Sequence, residues 1–183
     1  MAMAGSHQTS AVHGAALQDP RFSIRPLVVG DRDGLAALFG RLSPESRRLR
    51  FLSPKPRLTA RELTYLTDVD HIRHEALAAV DADDGSIVGV ARYVGVANRL
   101  GVADVAIEVA DDMQRTGIGL TLARAVVLRA QENGITVLTA TTLWENRVAR
   151  ALAHRLGFVA RASSGVEIEL ELELGSPPSA VLL

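Results

Sequence analysis

The sequence predicts a mixed α/β fold: one mostly antiparallel sheet of about seven strands, flanked by helices on both faces. Three patterns predict it. Two strand-like runs, Ala76 to Val80 and Ile87 to Val96, are joined by Asp83-Asp84-Gly85-Ser86, which is hairpin turn chemistry. A single βαβ-like unit follows, with Val102–Val109, Gly117–Asn133 and Ile135–Thr142 as its parts. The chain then closes on a second hairpin, Phe158–Arg161 with Val166–Leu174. Early hairpins with one late crossover exclude a doubly wound parallel sheet.

The elements follow in order. Phe22 to Leu27 reads as the first strand. Asp31 to Arg41 carries Leu35, Leu38 and Phe39 at helical spacing. Ser43-Pro44 is an N-cap followed by proline at the first helical position, opening a helix to about Phe51. Pro54 and Pro56 break the chain, and Thr59 caps a third short helix, Ala60 to Thr67, with Glu62 in its first turn. A turn near Asn98 to Gly101 leads into Val102–Val109, where Val105, Ile107 and Val109 face one way and Asp104, Ala106 and Glu108 the other. The Gly117–Asn133 helix is apolar around most of its circumference and should be well buried. Glu145 to Leu156 is amphipathic, and Gly157 stops it. The last strand alternates four glutamates with Ile168, Leu170, Leu172 and Leu174, a solvated sheet face or a blunted edge.

Length and composition narrow the functional classes. At 183 residues with 48% apolar content, the chain suits one domain with its own core, here 21–174. Residues 1–20 read as a disordered leader without the pattern of a signal peptide, and 175–183 as a flexible tail. No run is long and apolar enough to span a bilayer, so a cytoplasmic protein is expected. Net charge is −1 and aromatics are 4%, which argues against nucleic-acid and membrane partners. The absence of cysteine excludes disulfides, thiolate metal sites and an acyl-cysteine intermediate. The five histidines form no ligand set, so no metal is expected. Lys55 is the sole lysine among 20 basic residues. Genomic base composition explains that, as would an enzyme that attacks lysines.

Gln114-Arg115-Thr116-Gly117-Ile118-Gly119 lies between a strand and the helix that opens with Leu120-Thr121. Two glycines there let backbone N–H groups converge on one spot, and the helix behind adds its positive dipole end. The result is an anion site suited to a phosphate or pyrophosphate. A Walker A loop needs Gly-Lys-Ser/Thr, and a dinucleotide fingerprint needs a glycine at 122, where leucine stands.

The Gln-x-x-Gly-x-Gly spacing after a strand, with Asn146 and Leu156-Gly157-Phe158 downstream, resembles the GNAT family, the Gcn5-related N-acetyltransferases. The resemblance covers roughly Ile24 to Leu174. It implies that Gln114 to Gly119, continuing into Leu120 and Thr121, holds the pyrophosphate of acetyl-CoA as co-substrate. It implies too that the strand with Ile107 and Val109 pairs with the pantetheine arm, which Asn146 also contacts. At the front, Arg41-Leu42-Ser43-Pro44-Glu45-Ser46, Leu49-Arg50-Phe51, Leu58-Thr59 and Asp68-x-Asp70 look like bacterial protein lysine acetyltransferases.

Without cysteine, direct attack of an amine on bound acetyl-CoA is the expected route. A lysine amine has a pKa of ~10.4 and needs a base, if only through water. The glutamate that serves the lysine acetyltransferases is replaced here by Asp104, one methylene shorter. Glu108, four residues on and ~13 Å away along a strand, is the rival. Backbone N–H groups at Ile107 to Val109 could stabilise an oxyanion if the strand is splayed or bulged. Many members use a tyrosine as general acid at the position of Ala153; His154 beside it is expected at the surface.

Between residues 41 and 61, Arg41, Arg47, Arg48, Arg50, Lys55, Arg57 and Arg61 face only Glu45 in sequence. They read as a solvated arm, or as a surface for an acidic partner or the CoA 3′-phosphate. Asp68, Asp70, Glu75, Asp104 and Glu108 could form an acidic mouth for a cationic amine. The leading expectation is an N-acetyltransferase acting on a protein lysine, as a monomer or homodimer. A small amine (antibiotic, polyamine or amino acid) is the alternative acceptor, and a non-catalytic acyl-CoA-binding module the alternative class.

Overall fold

The computed structural model describes residues 19–175. The expected leader and tail lie almost wholly outside them. Seven strands form one sheet in the order β1-β2-β3-β4-β5-β7-β6: β1 (Phe22–Pro26), β2 (His74–Asp81), β3 (Ile87–Gly95), β4 (Val102–Val109), β5 (Val137–Leu143), β6 (Val159–Ser164) and β7 (Glu167–Glu173). Every neighbouring pair is antiparallel except β4 with β5. The mixed fold read from the sequence is the fold observed.

Five helices cover the sheet: α1 (Arg32–Gly40), α2 (Pro44–Phe51), α3 (Ala60–Thr67), α4 (Ile118–Glu132) and α5 (Arg147–Leu156). Their ends carry the expected chemistry. Ser43 Oγ accepts from Ser46 N, and Thr59 with Glu62 forms a reciprocal capping box. Gly157 ends α5 at a φ of 92°, a left-handed conformation that favours glycine. Two short 3-10 turns, Val29–Asp31 and Asp111–Met113, escape the periodicity reading because neither completes a period. β2 is longer than Ala76–Val80, since β1 and β3 pair with its flanks. β6 likewise runs on to Ser164, following its pairing with β7.

The sheet separates two apolar layers. On one face Leu77, Ala91 and Tyr93 pack against Ile118, Leu122 and Val126 of α4. On the other, Ala76, Ala78 and Val90 pack against Leu35 and Leu38 of α1. β2 and β3 are therefore buried on both faces, which explains their near-continuous apolar runs.

β4 and β5 pair only through Val102↔Val137, Ala103↔Leu138 and Asp104↔Thr139. β4 stays bonded to β3 as far as Val109, and β5 to β7 as far as Leu143. The inner edges of the two strands thus part while their outer edges remain in the sheet.

α4 approaches the sheet over Gly89, where a Cβ would stand 2.9 Å from Leu122 Cδ1 and 3.1 Å from the Glu108 carbonyl oxygen. Gly89→Val should lower stability by about 1–3 kcal/mol through overpacking. Urea denaturation should show this as a lower midpoint with an unchanged m value.

Candidate active site

The divergence of β4 and β5 opens a cleft of about 300 Å3 that passes through the sheet. Val105, Ile107 and Val109 line it with Ala123 and Val126 of α4 and Ala153 of α5 on one side. Ala106 and Glu108 line it with Ser46, Leu49 and Arg50 of α2 on the other. Two molecules can thus meet in it from opposite faces.

Backbone alternation decides what β4 offers. Val96 N donates to Val102 O and Ala110 N to Val88 O, so the even-numbered residues turn their polar groups to β3. The odd-numbered ones face β5, and beyond Asp104↔Thr139 no strand is there to receive them. Ile107 therefore presents its N–H and C=O to the cleft, and Val109 its N–H. The Val109 carbonyl accepts from Gln114 Nε2 at 3.2 Å. β4 is splayed here and not bulged, since its register with β3 is continuous.

The glycine loop sits at the open end. Gly117 caps α4 at a φ of 98°, and Arg115 also adopts a positive φ, 64°. The N–H groups of Ile118 and Gly119 have no intrahelical acceptor, whereas those of Leu120 and Thr121 donate to the Gly117 carbonyl at 3.1 Å. At Gly119 a Cβ would touch only Val109 Cγ2, at 3.7 Å, and at Gly117 nothing within 4 Å. Internal packing therefore does not demand a glycine at 119; the space is left for something that approaches the backbone closely. Gln114, Arg115 and Gly119 line the cleft. Gln114 also bonds Asp111 Oδ1 at 3.1 Å, so its side chain ties the loop to the end of β4. The Thr116 hydroxyl donates to Met113 O, and Arg21 Nη2 to Thr116 O. Thr121 Oγ1 donates back to Gly117 O at 3.3 Å. Ile118 is buried in the core and Leu120 half-buried, so Ile118 can serve a ligand through its backbone alone.

Asn146 lines the other wall, where its Oδ1 caps α5 by accepting from Ala149 N at 3.0 Å. Trp144, two residues earlier, is 60% exposed, with the Arg150 guanidinium 4.2 Å above its ring.

The two sequence-predicted carboxylates share a face of β4 but not an environment. Asp104 is exposed at the closed end of the splay, outside the cleft lining, and accepts a hydrogen bond from Thr139 Oγ1. Glu108 lies inside the cleft, its side chain 8% exposed and 2.8 Å from Arg50 Nε. Arg92 of β3, 3% exposed, packs beside this pair. Burial pushes its pKa down to about 10, against the pull of Glu108. His74 approaches Arg92 Nη1 at 3.5 Å, and burial followed by that charge lowers its pKa. Sequence reading passed over Arg92, although a charge centred in the apolar run Ile87–Val96 is the signal of a buried polar role. Thr139 and the pairing of Arg50 carried no local signal.

The acidic mouth is not assembled. Glu75 stands opposite Tyr93, on the α4 face, and is fully buried between His71 Nδ1 at 2.6 Å and Arg129 Nη2 at 2.9 Å. Asp70 Oδ1 accepts from the N–H groups of Ile72, Arg73 and His74, which closes its own turn and lowers its pKa. Asp68 is exposed at the end of α3. The basic arm is largely committed too. Arg41 pairs with Asp112, Arg48 with Glu45 and Glu145, Arg50 with Glu108, and Lys55 with Glu62. Arg47 donates to the Pro56 carbonyl. His154 is exposed, as expected.

A parallel strand pair splayed at a glycine-rich helix start, inside a mixed seven-stranded sheet, defines an acyltransferase architecture. The profile of the Acetyltransferase (GNAT) family matches residues 44–158, and the chain belongs to that family. An acetyltransferase of Pseudomonas aeruginosa is 33% identical over 138 residues, 74% of each chain. Acetyltransferase Pat of Mycolicibacterium smegmatis is 31% identical over 75% of this chain, which spans 41% of that relative's length. The GNAT domain of S. lividans PAT superposes with a TM-score of 0.77 at 26% identity, over 83% of this chain and 90% of that one. A phosphinothricin acetyltransferase of Sinorhizobium meliloti, solved with acetyl-CoA, shares the fold at a TM-score of 0.71 and 18% identity, over 88% and 96% of the two chains. The glycine cradle and the free edge of β4 fit acetyl-CoA.

Gly119→Val should fill that cradle while leaving the fold intact. Coenzyme A affinity, measured by titration calorimetry, should fall about tenfold or more with the loss of backbone contacts to phosphate.

Proposed function

We propose that this acetyltransferase moves the acetyl group of acetyl-CoA directly to a primary amine, with a protein lysine side chain as acceptor. The observation that carries the reading is the through-sheet cleft. One face of it opens at the glycine loop and the other under α2. The likeness to Pat and to the S. lividans PAT domain, together with the front segment Arg41–Ser46, supports lysine as the acceptor.

In this reading the N–H groups from Gly117 to Gly119 hold the pyrophosphate, and Ile107, Val109 and Asn146 hold the pantetheine arm. The thioester of acetyl-CoA supplies an activated acyl carbon. The Ile107 and Val109 N–H groups are the donors available to the oxyanion that develops there. Asp104 takes the proton of the attacking amine. Thr139 engages one of its oxygens and leaves the other without a hydrogen-bond partner among the described residues. Its short arm and exposed position suit relay through a water molecule. Glu108 is committed to Arg50 and is the weaker candidate. No tyrosine stands at Ala153, so the CoA thiolate leaves without a dedicated acid.

Incubation with acetyl-CoA and a cell lysate, followed by acetyl-lysine mass spectrometry, tests the acceptor. New acetyl-lysine is the expected result; turnover on small amines without it would overturn the assignment. Asp104→Asn should cut turnover by about 10²–10⁴-fold with acetyl-CoA affinity retained. Unchanged turnover would remove Asp104 from the chemistry.

A further inference from the structure

On the face of the cleft under α2, Arg50 and Glu108 line the wall, and the buried Arg92 of β3 brings a second guanidinium into the field of that one carboxylate. Arg92 spends Nη1 on the Leu66 carbonyl, at 2.9 Å. Its Nε and Nη2 are buried without a hydrogen-bond partner. Arg50 Nε and Glu108 Oε2 approach to 2.8 Å, yet neither atom makes an aligned hydrogen bond. The group is therefore cationic, desolvated and short of acceptors. Buried guanidinium N–H groups ordinarily find an oxygen, because leaving them unpaired is costly.

Its position relates it to the reaction. Arg92 pairs in register with Ala106, which lines the cleft, so β4 places only a methyl group at that point of the wall. Arg50 and Glu108 line the cleft themselves. Asp104 lies on the same face of β4, at its closed end. An acceptor whose amine reaches toward Asp104 extends past these side chains.

We propose that Arg50 and Arg92 receive a carboxylate that the acceptor carries beside its amine, with Glu108 as the resident counter-ion that this carboxylate displaces. The inference rests on the reading of this cleft as an acetyltransferase acceptor site. A carboxylate matches the planar fork of a guanidinium and supplies the missing acceptor oxygens. It comes either from a free amino acid or from an Asp or Glu next to the target lysine.

Matched probes separate the sources. Free lysine against lysinamide tests the first, and capped peptides containing Asp-Lys against Asn-Lys test the second. Each is measured as kcat/KM by thiol release, and as equilibrium binding to the CoA-saturated protein. The acid member of one pair should be preferred by about ten- to a hundredfold. Arg50→Gln should abolish the preference, and Glu108→Gln should strengthen binding of the acid by removing its competitor. The opposite signs keep the test decisive if either variant folds poorly. Equal binding of acid and neutral members in both pairs, with Glu108→Gln without effect, overturns the proposal. Selective binding of the acid without acetylation of any probe would overturn acetyl transfer and leave the carboxylate site standing.

Discussion

β4 and β5 run parallel for three residue pairs and then diverge, each held on its outer edge by an antiparallel neighbour. A sheet interior normally satisfies every backbone N–H and C=O. Here one stretch of a central strand is left open without becoming an edge. β3 and α4 keep β4 rigid, so its free polar groups hold fixed positions instead of relaxing into new partners. The glycine loop, the capped start of α5 and the inner face of α2 are all placed around that opening. A strand pair closed along its full length would leave the loop an anion site with nothing to anchor beyond it.

The two faces of the sheet treat buried charge differently. On the α4 face, Glu75 has no solvent contact and is bracketed by Arg129, His71 and the Ala76 N–H. Tyr93 donates to the Ile72 carbonyl beside it, and Asn133 donates to the Tyr93 hydroxyl. That network has a partner for each of these groups and reads as structural stitching between α4 and the turn before β2. On the α2 face, Arg50, Arg92 and Glu108 have more donors than acceptors. A completed network stiffens the scaffold, and the incomplete one reaches the cleft through Arg50 and Glu108.

Local order was legible in the sequence wherever chemistry is local. Ser43-Pro44, Thr59 with Glu62, and Gly157 announce helix ends through their own side chains or backbone. The alternation of Val105, Ile107 and Val109 with Asp104, Ala106 and Glu108 assigns both faces of β4 before any partner is known. What stayed hidden depends on partners distant in the chain. Nothing near Asp104 says that β5 leaves just after it, since the partners holding the two outer edges, β3 and β7, are specified elsewhere in the chain. Glu75 reads as one more acid beside Asp70, yet the two-residue period turns it to the opposite side of the sheet from Asp104. The arginines of residues 41–61 look like a free basic arm because Asp112, Glu145 and Glu108 come much later in the sequence.

The chain carries a single tryptophan, and it stands just before the start of α5. Trp144 is exposed, stacked under Arg150, and two residues from the amide that caps that helix. Its N–H is bonded to the Val166 carbonyl, so the backbone beneath the ring is anchored to the last hairpin. The protein therefore contains a native fluorophore with one address. Its emission reports the polarity at the start of α5 and the stacking of Arg150, with no second indole to dilute the signal. Changes at the start of α5, whose capping Asn146 lines the cleft, can be followed optically in the unmodified chain.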